Sequence, residues 1–244
     1  MALFGGSNPM MQEEKFKGIL DASFAREEKM TVSGAVNKTL TLMGLLLLTS
    51  TVSYLMPSMI FLYVGLIGGL VAVIWASFKP EKSTFLAPAY ALFEGLFLGT
   101  ISLMYASKFD GIVFHAVIST LGILASMLFI YKSKVIEVTD KFRSGIAMAI
   151  GGIFFLYLIN FVLSLFGVNM PFLHGGSPMS IGISVVVVIV ATLTLLVDFD
   201  NIVKGAKYGA PKYMEWYSAM GLIVTLVWLY LELLRLLSKV ASRD

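Results

Sequence analysis

The chain contains no cysteine among its 244 residues. Disulfides, thiolate nucleophiles and cysteine-ligated metal sites are therefore excluded. Charged residues are also scarce, at 14% of the sequence, against roughly 25% in ordinary soluble domains. A soluble domain of this length would have to hide more apolar surface than its interior can hold. The composition thus excludes a water-soluble globular protein.

Hydrophobic residues make up 58% of the chain and are concentrated in seven segments. Each segment has about twenty residues, the length of an α-helix that crosses the ~30 Å hydrocarbon core of a bilayer. The segments are 34–56, 59–78, 85–106, 112–131, 144–166, 180–199 and 217–238. Short connections between them make neighbouring helices antiparallel. We therefore predict an all-α polytopic membrane protein, a bundle of seven transmembrane helices.

The first thirty residues are polar and carry charges of both signs. They lack the basic start and apolar core of a secretory signal. We predict a cytoplasmic tail over residues 1–30, followed by a transmembrane domain over residues 31–244. A functional alternative for the tail is a handle for a cytosolic partner or protease, because exposed termini are easily engaged.

Lys and Arg residues are distributed unevenly between the two sides of the predicted bundle. Those on the side of the tail are Lys15, Lys17, Arg26, Lys29, Lys38, Lys79, Lys82, Lys132, Lys134, Lys141, Arg143, Lys204, Lys207 and Lys212. The connections on the opposite side contain Lys108. Basic loops stay cytoplasmic, so we predict a cytoplasmic N-terminus and an external C-terminal end.

Two further points concern charge. Arg235, Lys239 and Arg243 lie near the C-terminal end and oppose this topology, so a last segment that re-enters without crossing stays an alternative. The net charge of +3 is explained by topology, since basic residues in a membrane protein commonly mark its cytoplasmic side. We predict no nucleic-acid partner.

A few acidic residues lie inside the apolar segments, where an ionised side chain is costly unless it is paired or hydrated. Glu94 lies near the middle of the third segment. It is either a neutral side chain bonded to a neighbouring helix or part of an ion or proton site. Asp198 and Asp200 end the sixth segment and point about 200° apart on a helix. We expect only one to face the bundle, and we assign Asp198 inward, with Asp200 and Asn201 at the cytoplasmic interface. The alternative is a solvated pair of acids at the end of the helix.

Two other patterns predict helix packing. Glu232 and Arg235 are three residues apart in the last segment and are expected to form an intrahelical ion pair. This pairing is enough to explain why two charged residues occur in an apolar segment. Two glycine pairs, Gly65 with Gly69 and Gly95 with Gly99, have the spacing that lets helix backbones approach closely. We favour packing within the chain over a homodimer interface.

Four strings in the sequence resemble the bacterial, YccA-like branch of the transmembrane Bax inhibitor-motif family. They are SNP at 7–9, MTVSGAVNKT at 30–39, EGLFLG at 94–99 and WLYLELLRLL at 228–237. They occur in order on a frame of seven segments, and the resemblance covers nearly the whole chain. It implies a bundle in which the C-terminal helix is central and is surrounded by the others.

The resemblance also implies a function and a site. Family members are linked to a pH-sensitive calcium leak controlled by two facing aspartates on the sixth and seventh helices. Asp198 matches the first position, but Thr225 occupies the second, ten residues before Arg235. A pair of carboxylates that shares a proton cannot form there. Glu232 lies about two turns further on the same face and is an alternative second acid.

Two functional hypotheses follow. The first is a pathway for Ca²⁺ or protons built from Asp198 and Glu94, with Thr225 as a neutral lining group, Glu232 as an alternative acid, and Arg235 and Asp200 in support. The second is a non-channel protein that modulates a membrane-anchored AAA protease through its tail. The sequence has no Gly-x-Gly-Asp motif and no convincing Ser and His pair, so we predict no enzyme. We predict no cofactor and no resident metal. Membrane lipid is the expected surrounding, and the bacterial inner membrane the expected location.

Overall fold

The structure is a computed structural model that describes residues 28–167 and 175–243. Most of the predicted tail over residues 1–30 lies outside this part of the chain. The proposed role of the tail in binding a protease, and the division of the chain at residue 30, therefore stay predictions.

Seven long helices form the described part of the protein. They are α1 Val32–Leu55, α2 Met59–Phe78, α3 Ser83–Ala106, α4 Ile112–Lys132, α5 Asp140–Leu165, α6 Pro178–Lys207 and α7 Met214–Ala241. All seven are long and apolar enough to cross a membrane. The prediction of an all-α bundle of seven transmembrane helices is confirmed.

Hydroxyl side chains begin several of these helices. Thr31, Ser58, Thr139 and Ser177 each accept a hydrogen bond from a backbone N–H in the first turn of α1, α2, α5 and α6, respectively. Such a cap satisfies one of the N–H groups that a helix leaves without an internal partner at its start.

Several helices extend beyond the predicted segments. α5 begins at Asp140 rather than at residue 144, and α6 continues to Lys207 rather than ending at residue 199. α7 runs from Met214 to Ala241 rather than from 217 to 238. Hydropathy marks only the apolar part of a helix, whereas the charged residues of the terminal turns continue the same backbone hydrogen bonds.

The C-terminal helix α7 is central. It contacts α1, α3, α4 and α6, and Leu229 and Leu234 are completely buried. It is also joined to α3 by a hydrogen bond of 2.6 Å between the hydroxyls of Tyr230 and Ser102. The central position expected from the family resemblance is confirmed.

The glycine pairs lie at helix interfaces within the chain. A Cβ atom added at Gly95 would collide with the Thr49 side chain of α1, and one added at Gly65 would lie 2.6 Å from the backbone of Phe93 and of Phe97 in α3. Small residues thus let α1 and α2 pack closely against α3. The interpretation as packing within the chain is confirmed.

In contrast, α5 is peripheral. Ile146 is its one buried residue, and its packing is against α6. Its further attachments are polar, through Arg143 to Asp200 near its start and through Tyr157 to Glu232 beyond its middle. The helix is therefore held to the bundle mainly by hydrogen bonds and ion pairs.

Candidate functional site

Asp198 and Thr225 meet at the interface of α6 and α7. The Thr225 hydroxyl lies close to the Asp198 carboxylate, and it donates a hydrogen bond to the carbonyl oxygen of Gly221 at 3.3 Å. A hydroxyl has one proton to donate, and in this arrangement that proton goes to Gly221 rather than to Asp198. In the described residues, Oδ2 of Asp198 is buried without any hydrogen-bond partner. Asp198 is thus directed inward, as predicted, and its carboxylate is only partly satisfied.

Asp200 belongs to an ion-pair cluster of α4, α5 and α6. Arg143 of α5 donates to its carboxylate, Lys204 Nζ lies 2.9 Å from Oδ2, and the Tyr131 hydroxyl of α4 donates to Oδ1 at 3.2 Å. Arg143 also donates to Asn201 at 2.7 Å. This cluster holds the end of α6 to both neighbouring helices.

The expectation that only one of the two aspartates faces the bundle is therefore wrong. Asp200 is only 9% exposed. The reason is that α6 packs against α7 on the face of Asp198 and also packs against α4 and α5, which supply the partners of Asp200. Two residues that point about 200° apart on one helix can both be covered when the helix has neighbours on both sides.

Glu232 and Arg235 form the predicted ion pair, with 2.7 Å between Nη1 and Oε1. Tyr157 of α5 completes the group, since its hydroxyl donates to Glu232 at 3.1 Å and accepts from Arg235 at 2.7 Å. Glu232 is 2% exposed. In the described ranges no hydrogen bond or ion pair joins Glu232 to Asp198, so these contacts give no support to Glu232 as the second acid.

Glu94 lies in the middle of α3 and faces α2. A Cβ atom added at Gly69 of α2 would come 2.5 Å from its Oε2, and the side chain lies next to Tyr90 of its own helix. Among residues 28–167 and 175–243, the Glu94 carboxylate has no hydrogen-bond partner. The structure therefore places Glu94 at the α2–α3 interface and Asp198 at the α6–α7 interface, so the two acids have different neighbours.

Glu215 was missed by the sequence reasoning because it precedes the predicted last segment. It is the most buried acid of the described chain, at 1% exposure. Its Oε1 accepts from the backbone N–H and the hydroxyl of Thr31 at 2.9 and 3.0 Å, and its carboxylate occupies the space where Gly34 lacks a side chain. Lys212 Nζ lies 3.5 Å away.

This contact explains part of the motif at 30–39. Thr31 begins α1 and binds Glu215, while Gly34 leaves room for the carboxylate. The backbone N–H of Met30 donates to the carbonyl oxygen of Ala210 at 2.7 Å, next to an isolated bridge between Lys29 and Pro211. The start of α1 is therefore fixed to the turn between α6 and α7.

The larger spaces in the bundle do not coincide with the predicted acids. An apolar cavity of about 430 Å³ lies between α1, α3, α4 and α7, lined by residues such as Tyr54, Leu98, Val117 and Leu226. None of the predicted site residues lines it. Among the described residues, no three His, Cys, Asp or Glu side chains lie close enough together to hold a metal ion.

The sequence matches the family described as Bax inhibitor 1 like over residues 8–242, which includes all seven helices and every predicted site residue. A search among curated proteins gave no match.

Proposed function

Because the chain belongs to the Bax inhibitor 1 like family and has seven helices suited to a membrane, we propose that this integral membrane protein is a pH-sensitive leak for Ca²⁺ or other cations. The family membership confirms the resemblance found in the sequence, while the bacterial, YccA-like branch stays a prediction. We further propose a location in the bacterial inner membrane with a cytoplasmic N-terminus.

The observation that carries the proposal is the incomplete hydrogen bonding of Asp198. Its Oδ2 is buried without a partner among the described residues, and the nearby Thr225 hydroxyl donates to Gly221 instead. Buried polar atoms normally find a partner. Carboxylate and other hard oxygens are the ligands that Ca²⁺ prefers. Asp198 is therefore suited to receive a passing cation or proton.

The ion-pair cluster at Asp200 is suited to close this route. Asp200 follows Asp198 on α6, toward the side where the chain begins α1. Arg143 and Lys204 there carry two positive charges against the one negative charge of Asp200, and the remaining positive charge would repel a cation. Since α5 has little apolar packing, we propose that displacement of α5 and loss of the Arg143–Asp200 pair accompany opening.

The test is calcium flux into proteoliposomes. Asp198→Asn removes the charge while keeping the size of the side chain, and we expect it to change flux at least severalfold. Asp110→Asn is the matched control, because Asp110 is exposed in the connection between α3 and α4, and it should behave like the wild type. Flux that does not exceed that of empty liposomes, for all proteins and at every pH, would exclude the leak.

A second candidate is the modulation of a membrane-anchored AAA protease. The observation that favours it is that Asp200, Glu215 and Glu232 are all satisfied by partners within the chain, as expected of acids that stabilise a fold. The test is co-purification of the protease with the full-length chain and with a chain lacking residues 2–27. We expect binding to be lost without the tail. Equal recovery of the protease with both chains would exclude a role for the tail in binding it.

A further inference from the structure

A cationic cavity lies where α7 ends, on the side of the bundle opposite the start of α1. Its volume is about 280 Å³, and its lining includes Tyr105, Arg235, Ser238, Lys239 and Ser242. That size is close to the ~300 Å³ at which pockets for small molecules begin. Two of these five residues are cations, and none of the lining residues in the described part of the chain is acidic.

Lys239 is the unusual member of this group. It is only 7% exposed, although a buried lysine is normally paired with a carboxylate. Its Nζ donates to the Ser184 hydroxyl at 2.8 Å and to the Ser180 carbonyl at 3.2 Å. Both partners are neutral, and no carboxylate lies within ion-pair distance in the described part of the chain. A third N–H of the ammonium group is left over.

The surroundings of Lys239 add to the excess of positive charge. Ser180 lies in the first turn of α6, which begins at Pro178, and the start of a helix carries a partial positive charge. The nearest acid along α7 is Glu232, and this carboxylate is already paired with Arg235 at 2.7 Å. A buried charge is costly without a counter-charge, so the cavity favours an anion.

The remaining donors fit an oxyanion. Arg235 uses one guanidinium nitrogen, Nη1, for Glu232 and Tyr157, and its other nitrogens have no hydrogen bond in the described ranges. The hydroxyl of Tyr105 likewise has none there. The hydroxyls of Ser238 and Ser242 already donate to backbone carbonyls of α7, so the donors left for an anion are those of Arg235, Lys239 and Tyr105. Arg and Lys together are a common set of ligands for phosphate.

We propose that this cavity binds a phosphate group through Arg235, Lys239 and Tyr105. The group belongs either to the headgroup of an anionic phospholipid or to free phosphate. The depth of the site suits a headgroup, because α7 ends there and cationic side chains near helix ends reach toward the membrane interface. Basic pockets between transmembrane helices bind anionic headgroups on the cytoplasmic side of membranes, and the same charge complementarity applies to a cavity at the opposite end of the bundle. The proposal does not depend on the leak.

The experiment measures thermal unfolding of the purified full-length protein in detergent at constant ionic strength. The three additives are inorganic phosphate, short-chain phosphatidylglycerol and a diacylglycerol of the same chain length without phosphate. We expect a saturable rise in Tm with a phosphate-bearing additive and none with diacylglycerol. A rise with phosphatidylglycerol alone identifies the headgroup as ligand, and a rise with inorganic phosphate as well shows that the phosphate group is sufficient.

The variants link the effect to the cavity. Lys239→Gln keeps a donor for Ser184 but removes the charge, and we expect it to weaken binding by about tenfold or more. Lys108→Gln is the matched control, because Lys108 is an exposed lysine on the same side of the bundle. No saturable effect in the wild type, or equal effects in the wild type and Lys239→Gln, would overturn the proposal.

A measurement on the wild type alone covers the case in which Lys239→Gln does not fold. Equilibrium dialysis with radiolabelled phosphate and native mass spectrometry of co-purified phospholipid both report binding directly. Saturable binding of one molecule per chain by either method supports the site. Failure of both methods would overturn the proposal without any variant.

Discussion

Asp198 of α6 and Thr225 of α7 lie close together at the interface of the two helices. The residues are 27 positions apart in the sequence, and the antiparallel course of α6 and α7 brings them together. This is the arrangement that the family resemblance predicts for a pair of aspartates, with a neutral hydroxyl in place of the second acid. One negative charge at most is therefore available at this point.

Thr225→Asp is expected to make calcium flux depend more steeply on pH. Two facing carboxylates titrate as a coupled pair, because like charges at this distance cannot both ionise independently. Flux should be measured in proteoliposomes between about pH 5 and about pH 8, the range over which such switches operate. Thr225→Ser keeps the hydroxyl and should preserve the response of the wild type. The same pH profile for Thr225→Asp would contradict a role for this position.

Glu94→Gln should preserve folding and insertion, since an amide can make hydrogen bonds without a charge to bury. Glu94→Lys should lower expression and thermal stability, because a longer, charged side chain would have to fit against Gly69 at the α2–α3 interface. The measurement is Tm and yield in detergent. Equal values for the wild type and the Lys variant would show that the Glu94 side chain reaches solvent or headgroups.

Gly95→Ala should destabilise the bundle by about 1–3 kcal/mol, the usual cost of inserting a methyl group into a packed interface. The added Cβ would collide with Thr49 and approach the backbone of Leu46 in α1. Gly44→Ala is the control, because no atom lies within 4 Å of a Cβ added there. Denaturant unfolding in detergent measures both. Similar stability for the two variants would argue against the close packing of α1 and α3.

Glu215→Ala should lower the free energy of unfolding by about 1–3 kcal/mol, since the Thr31 N–H and hydroxyl lose their acceptor in a buried place. Thr31→Val removes the hydroxyl of the same contact. The loss of unfolding free energy in the double variant should be smaller than the sum of the losses in the two single variants. Glu81→Ala removes an exposed acid on the same side of the bundle and should change stability little. Full additivity of the two substitutions would show that the contact contributes nothing.

Reporter fusions test the orientation in the membrane. Fusions after Lys82, Lys134 and Lys207 should report a cytoplasmic location, and one at Gly175 an external location, because basic residues are concentrated on one side. A fusion at Asp244 should be external. A cytoplasmic signal at Asp244 would mean that α7 does not cross, and it would also place the cationic cavity on the cytoplasmic side.

The sequence by itself determined the class of the fold. Seven apolar segments of sufficient length predict seven helices, because backbone groups in lipid must be hydrogen-bonded within their own segment. The glycine pairs predicted close helix packing, and the spacing of Glu232 and Arg235 predicted their ion pair, because both patterns lie on one helix face and need no knowledge of the neighbours. The family motifs added the central position of α7.

Only the tertiary structure decided which helix each polar side chain meets. Asp200 was assigned to the interface, but Arg143 and Tyr131 approach it from α5 and α4, and no pattern along α6 indicates these neighbours. Glu215 and Lys239 lie in the first and last turns of α7, beyond the apolar segment, and are nevertheless buried. Hydropathy reports how well a residue tolerates lipid, whereas burial at a helix end depends on which other chain segments cover it.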